Sequence, residues 1–131
     1  MKKLILIVFA VMAFSISYSQ LAMTNPNGLT LDTVTNSTAK GCVLQVKGYQ
    51  ETVSLVVPII KISGTIEGVI YWQGSNDGVK YGNIGIDSLT DATNTYTYDE
   101  SPKRYLYYKA LVAPSGTSSL SFKGTLYATK P

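Results

Sequence analysis

The sequence contains no histidine and a single cysteine, Cys42. The absence of histidine excludes the serine–histidine and cysteine–histidine pairs that activate many catalytic nucleophiles, and it excludes the usual sets of zinc ligands. A lone cysteine cannot form an internal disulfide, so burial and hydrogen bonding must hold the fold together. Cys42 precedes Val43 and Leu44 in an apolar stretch, which favours a small buried side chain over an intermolecular disulfide or a reactive thiol.

Charged residues are also few, and the two signs nearly balance. The chain has 11 lysines and arginines against 8 aspartates and glutamates. Lys2 and Lys3 belong to the N-terminal segment, so the rest of the chain is close to neutral. The remaining lysines are scattered singly, whereas nucleic-acid binding requires a basic patch or stripe. The sequence therefore predicts no nucleic-acid partner.

The carboxylates offer little basis for catalysis. Most of them fall in predicted turns, where aspartate is favoured because it forms hydrogen bonds to the local backbone. Glycosidase chemistry needs two carboxylates facing one another across a cleft, which a domain of this size rarely builds. Asp77, Asp87, Asp91 and Asp99 could supply oxygen ligands to calcium, but their spacing matches no dense loop of the EF-hand kind. The sequence predicts a protein that is not an enzyme and has no metal site and no cofactor.

The N-terminus has the three-part layout of a secretory signal. Lys2 and Lys3 precede an apolar run from Leu4 to Phe14, and small and polar residues follow up to Gln20. A membrane-spanning helix needs roughly 20 apolar residues, more than this run provides. We expect a cleavable signal peptide over residues 1–19, with an uncleaved membrane anchor as the alternative. Residues 20–131 then form one domain that is exported to the periplasm, the cell surface, the medium or a virion.

Short stretches of alternating hydrophobicity dominate the rest of the chain, and no helical period persists for three turns. The turn signals at 74–78 and 114–116 predict two hairpins, and Pro58 predicts a bulge where the alternation shifts phase. The pattern favours an all-β fold, a single antiparallel β-sandwich of jelly-roll or Ig-like type. Strands are predicted at 29–34, 42–47, 52–63, 65–73, 79–86, 95–98, 104–113 and 118–129.

Tyrosine is unusually abundant, with 10 residues. A tyrosine ring on a sheet face can stack on a sugar or anchor a protein interface, because it joins a rigid apolar body to a polar tip. The alternative is that these rings pair across strands within the sheet, where tyrosine is common in any case. Trp72 shares its predicted face with Ile66 and Ile70, which indicates a core position. The candidate binding residues are Tyr71, Tyr81, Tyr105, Tyr107 and Tyr127.

Residues 71–78, followed by Val79-Lys80-Tyr81, resemble a strand-turn-strand pattern of extracellular β-sandwich modules. The turn is similar to the hairpin of discoidin (F5/8 type C) domains and to that of small sandwich proteins in tailed-phage virions. Residues 103–109 are similar to the tyrosine-rich strand that follows in such modules, and the resemblance extends over residues 64–129. It implies a sandwich topology and a non-catalytic role. It transfers no binding residue, because the disulfide that usually joins the ends of discoidin domains is absent and their ligand-binding spikes have no counterpart.

Two functions are compatible with these features. The first is a non-enzymatic structural or adhesive surface component of a bacterial cell or phage virion, which binds protein partners or assembles with itself. The alternative is a carbohydrate-binding module that holds surface glycans on exposed aromatic rings. Either protein would meet a membrane only through an uncleaved signal segment.

Overall fold

The computed structural model describes residues 21–24, 32–35, 38–46, 51–115, 117, 119–122 and 124–129. These residues form ten β-strands and no helix, and the strands build two antiparallel sheets around one core. The predicted β-sandwich is therefore confirmed. The predicted signal peptide lies outside the described residues. Within the described ranges, no helix has the length and apolar character needed to cross a membrane.

The sheets differ in width and order. The four-stranded sheet has the order β3-β8-β5-β6. In the six-stranded sheet, β4 pairs with β7 on one side and with β10 and then β9 on the other, while β1 pairs with β10 and β2 with β9. The strands are β1 (Leu21–Thr24), β2 (Asp32–Thr35), β3 (Lys40–Gln45), β4 (Thr52–Ser63), β5 (Glu67–Ser75), β6 (Gly82–Ser88), β7 (Asn94–Glu100), β8 (Tyr107–Ser115), β9 (Ser119–Phe122) and β10 (Thr125–Thr129).

The core lies between the sheets and is built by every second residue of the central strands. Successive side chains of a strand point to opposite faces, so one apolar set can be buried while the other faces outward. Trp72 is only 1% exposed, as its predicted face requires, and its ring stacks on Tyr98 at 5.8 Å between centroids. Burial of a large apolar side chain contributes about 1.5–3 kcal/mol. The core strands supply Val53, Leu55, Val57 and Ile59 from β4, Ile70 and Trp72 from β5, Tyr108, Ala110 and Val112 from β8, and Leu120, Phe122, Leu126 and Ala128 from β9 and β10.

The predicted change of phase at Pro58 is wrong. Inward alternation continues through Ile59, which is fully buried, and Ile60 and Ile62 are exposed. The register of β4 against β9 shifts only after Lys61. Pro58 instead lies between the part of β4 that pairs with β10 and the part that pairs with β9. A residue without an N–H is tolerated where the ladder changes partner.

The two predicted hairpins have opposite outcomes. Residues 76–81 connect β5 to β6, which pair antiparallel, so the first hairpin is confirmed. The second is wrong, because β8 pairs with β3 and β5 in one sheet whereas β9 pairs with β2 and β4 in the other. The predicted strand at 118–129 is divided into β9 and β10, which both pair with β4.

Strands near the two ends of the chain also differ from the prediction. β8 begins at Tyr107 and not at residue 104, and Leu106 just before it is 46% exposed. Its backbone instead joins two segments, since its N–H donates to Ser75 and its carbonyl accepts from Val46. β1 was not predicted, and residues 29–31 of the first predicted strand lie outside the described residues.

Candidate binding surface on the four-stranded sheet

The most buried carboxylate serves the fold. Glu100 is 5% exposed and accepts hydrogen bonds from Arg104 Nε at 2.8 Å, from the Arg104 backbone N–H at 3.2 Å and from the Tyr108 hydroxyl. Burial and the bond to Glu100 raise the pKa of Tyr108, so its phenol remains a donor. The Glu100 carboxylate likewise raises the pKa of Arg104. Because all of these partners belong to the chain itself, the cluster fastens residues 101–106 to the end of the sandwich.

Among the described residues, no group of three or more histidine, cysteine, aspartate or glutamate side chains could hold a metal ion. The aspartates considered as calcium ligands have local partners. Asp91 Oδ1 accepts from Lys61 Nζ at 2.7 Å and from the Ile66 N–H at 2.6 Å, and Asp87 Oδ2 accepts from the Trp72 indole at 2.6 Å. These bonds join loops and strands.

An apolar row crosses the outer face of the four-stranded sheet. Tyr71 of β5 lies opposite Leu111 of β8 on one side and opposite Ile86 of β6 on the other. Tyr71 and Leu111 point outward because their neighbours along each strand point into the core. Ile86 shares their face because it lies directly opposite Tyr71. Tyr71 and Leu111 are half-buried, and Ile86 is 58% exposed. We call these three residues the apolar row.

The loop between β5 and β6 folds onto the same face. Asp77 Oδ1 closes the turn by accepting from the Val79 and Lys80 N–H groups, at 2.8 and 2.9 Å, and from the Ser75 hydroxyl at 2.8 Å. These donors lower the pKa of Asp77, the Lys80 N–H most of all. Gly78 has a φ of 72°, which favours glycine. The turn is therefore fixed by its own hydrogen bonds and by a backbone conformation that other residues adopt at a cost.

The turn places Tyr81 and Tyr107 beside Lys109. A Cβ at Gly78 would lie 3.2 Å from the Tyr107 ring, so the loop rests on that ring. Lys109 Nζ lies 5.3 Å from the centre of the Tyr81 ring, within the range of a cation–π interaction. Gln45 Nε2 donates to the Tyr107 hydroxyl at 3.1 Å. We call Gln45, Tyr81, Tyr107 and Lys109 the tyrosine–lysine cluster.

Burial acts on one ionisable group of this cluster, the Tyr81 phenol. It raises the pKa of Tyr81, and the nearby Tyr107 and Asp77 raise it further. The Tyr81 hydroxyl therefore stays protonated at neutral pH and can both donate and accept a hydrogen bond.

Side-chain amides border the cluster. Gln73 of β5 lies opposite Lys109 of β8, and its Nε2 donates to Asn83 Oδ1 at 2.8 Å. Its Oε1 is buried and has no hydrogen-bond partner among the described residues. The outer face thus combines an apolar row with a strip of amide and phenol groups.

The five candidate tyrosines do not share one surface. Tyr71, Tyr81 and Tyr107 contribute to the outer face just described. Tyr105 packs against the core, with its ring 5.9 Å from that of Tyr108 in an edge-to-face arrangement. Tyr127 lies on the other sheet, where it is 38% exposed. A binding role for any of them stays a prediction.

Sequence reasoning missed Gln45 and Lys109 as members of the surface. Lys109 follows Tyr107 by two residues, so strand alternation was a sufficient signal for that pair. Gln45 carried no such signal, because its position opposite Tyr107 depends on the register of β3 against β8.

No protein-family model matches the chain, and a search of curated proteins gives no match. Among solved structures, the chain is similar to a protein of the disulfide-linked pili that form Bacillus endospore appendages, with 10% identity, 88% of this chain and 92% of that one covered, and a TM-score of 0.44. A CBM4 structure gives 7% identity, with 90% of this chain and 82% of that one covered, and a TM-score of 0.45. The family 11 carbohydrate-binding module of a Clostridium thermocellum cellulosomal cellulase gives 10% identity, with 88% of this chain and 96% of that one covered, and a TM-score of 0.34. With TM-scores below 0.5, these likenesses assign neither a function nor a binding residue to this chain.

Proposed function

We propose that the protein is an exported, non-enzymatic structural or adhesive component of a bacterial surface or a phage virion, and that it binds through the outer face of the four-stranded sheet. The observation that carries the proposal is the apolar row, in which Ile86 is 58% exposed beside Tyr71 and Leu111. An antiparallel sheet with one solvated face normally turns polar residues outward. A contiguous apolar stretch on that face favours burial against a partner.

The outer face of the other sheet mixes polar and apolar residues. There the outward residues of β7 include the exposed Thr95 and Thr97, and those of β2 include the exposed Thr33 and Thr35. Threonine satisfies the strand preference for branched side chains and still meets water with a hydroxyl. That face also exposes Ile60, Ile62 and Tyr127. The choice of the four-stranded sheet therefore rests on the contiguity of the apolar row, whose members are direct cross-strand neighbours.

A carbohydrate-binding module is the second candidate, favoured by the tyrosine–lysine cluster. Tyr81 and Tyr107 are half-buried rings beside the side-chain amides of Gln45 and Gln73. Rings flanked by amides provide stacking faces and hydrogen bonds together. The exposed aliphatic side chain of Ile86 favours the adhesive function over this one, because it offers a sugar neither a flat ring nor a polar group.

The test begins by exporting the full chain in a bacterial host and sequencing the N-terminus of the recovered protein. We then measure its oligomeric state by light scattering and the attachment of labelled protein to bacterial cells. Changing Tyr71 and Ile86 to serine should abolish self-association or attachment and leave the unfolding midpoint almost unchanged. The control changes Thr95 and Thr97 to serine on the opposite sheet.

A monomer that attaches to no surface would contradict the proposed function. Equal attachment by the wild type and the Tyr71→Ser/Ile86→Ser variant would contradict the assignment of the surface. Recovery of the protein with residues 1–19 still present would contradict the cleavable signal peptide and favour an uncleaved membrane anchor.

A further inference from the structure

Lys109 is a half-buried cation on the outer face, and no described ion pair includes it. Lys61 pairs with Asp91 and Arg104 with Glu100, and neither ion pair includes Lys109. Its neighbours are the ring of Tyr81 and the backbone of β3. An exposed lysine usually keeps its charge in water at the end of a mobile stem, whereas Lys109 is half-buried on the sheet. Its charge is therefore positioned and lacks a compensating anion among the described residues.

Gly41 creates the space in which this stem lies. A Cβ at Gly41 would sit 2.6 Å from Lys109 Cε and 3.4 Å from Leu111 Cδ1. Any other residue would push the lysine away from β3. The glycine thus permits this path of the lysine stem, which a Cβ would close.

We infer that the tyrosine–lysine cluster is a subsite for the carboxylate of an acidic polysaccharide, so that the ligand of the proposed binding face is a glycan rich in uronic acids. The inference rests on the second candidate under the proposed function, a carbohydrate-binding surface at this cluster, and names its ligand class. The charge of Lys109 selects an anion. The rings of Tyr81 and Tyr107 and the amide of Gln45 select a flat, hydroxyl-bearing body in preference to an acidic peptide.

Isothermal titration of the exported protein with oligogalacturonate tests this inference, with the methyl-esterified oligosaccharide as the uncharged control. We expect the acid form to bind and the ester to bind at least about tenfold more weakly, since a hydrogen bond to a charged group is worth a factor of this order. Binding of the acid should weaken as the salt concentration rises. A poly-glutamate peptide should bind more weakly than the acidic sugar.

Three variants separate the site from the fold. Lys109→Gln should weaken oligogalacturonate about tenfold. Lys80→Gln, which removes an exposed charge from the adjacent loop, should leave the affinity within about twofold, because exposed charges act weakly. Gly41→Ala keeps every charge but displaces the Lys109 stem, so it should weaken binding while the unfolding midpoint stays equal or rises.

Equal binding of acid and ester, an equal loss in Lys80→Gln and Lys109→Gln, or tighter binding of poly-glutamate would each overturn the inference. So would full binding by Gly41→Ala. A protein that attaches to cells through Tyr71 and Ile86 but ignores oligogalacturonate would refute the acidic subsite alone. A protein that neither attaches nor binds the sugar would refute the proposed function as well.

Discussion

Changing Gly124 to alanine should strain the contact between the two sheets. Gly124 lies between β9 and β10, and a Cβ at this position would approach Cys42 Sγ more closely than 3.0 Å, a separation that real Cβ atoms essentially never show. The same Cβ would lie 3.3 Å from Cys42 Cβ and 3.7 Å from Leu44 Cδ1. Cys42 is 2% exposed and its Sγ lies 3.9 Å from the Ala110 carbonyl oxygen, so any movement of the sulfur takes place within the packed core. The alanine can be accommodated only if the strands move apart.

The expected cost follows from the displacement. Relieving the clash requires a shift on the order of 1 Å in a close-packed interior, and overpacking of this kind costs about 1–3 kcal/mol. For a domain of this size, that corresponds to roughly 4 °C in Tm for each kcal/mol. Urea unfolding followed by the fluorescence of Trp72, the single tryptophan, measures the loss directly.

The variant Cys42→Ala tests the contact between residue 124 and the Cys42 sulfur. This change removes the sulfur and costs about 1 kcal/mol by itself. In the Gly124→Ala/Cys42→Ala double variant the new methyl group occupies the space of the sulfur, so the double loss should be smaller than the two single losses together by about 1 kcal/mol or more. Additive losses, or a Gly124→Ala variant as stable as the wild type, would refute the proposed contact.

Two further predictions concern carboxylates. Glu100→Gln should reduce the free energy of unfolding by about 2–3 kcal/mol, because it removes the buried anion to which Arg104 and Tyr108 donate hydrogen bonds. The control Asp99→Asn, on the exposed face, should reduce it much less. Urea titration of the two variants compares the losses. Lys61 and the Ile66 N–H lower the pKa of Asp91, so its stabilising contribution is present above the ordinary pKa of 3.8 and is lost as the pH falls below it. Asp91→Asn should therefore flatten the fall in Tm between neutral pH and pH 3, and an unchanged slope would contradict this assignment.

The strands were predictable because alternation is a local property. The predicted range 52–63 coincides with β4, and the faces of Trp72 and Leu120 follow from the period of two. The failed hairpin at 114–116 shows the limit of local signals. Turn residues indicate that the chain reverses, but pairing of the next strand with β4 is decided by contacts distant in sequence.

On the binding surface, too, only those positions that depend on local alternation could be predicted. Tyr71 and Tyr107 face outward because of strand alternation, so their exposure could be predicted. The position of Tyr81 over Lys109 could not, since it depends on a loop that Asp77 folds back onto the sheet. Glu100 lies two residues beyond the predicted strand 95–98 and is buried because β7 extends far enough to pair it with Val53.

The apolar row remains unexplained by the needs of folding. Leu44, Ile70 and Trp72 already fill the inner face of the four-stranded sheet, so the outward side chains of Tyr71 and Ile86 add little to the core. The preference of strands for branched and aromatic side chains does not require Tyr71 and Ile86 either, because threonine satisfies that preference on β7. Substitutions at such surface positions usually change stability by less than about 0.5 kcal/mol. We propose that a partner covers this row, because folding does not require it and it leaves apolar area in contact with water.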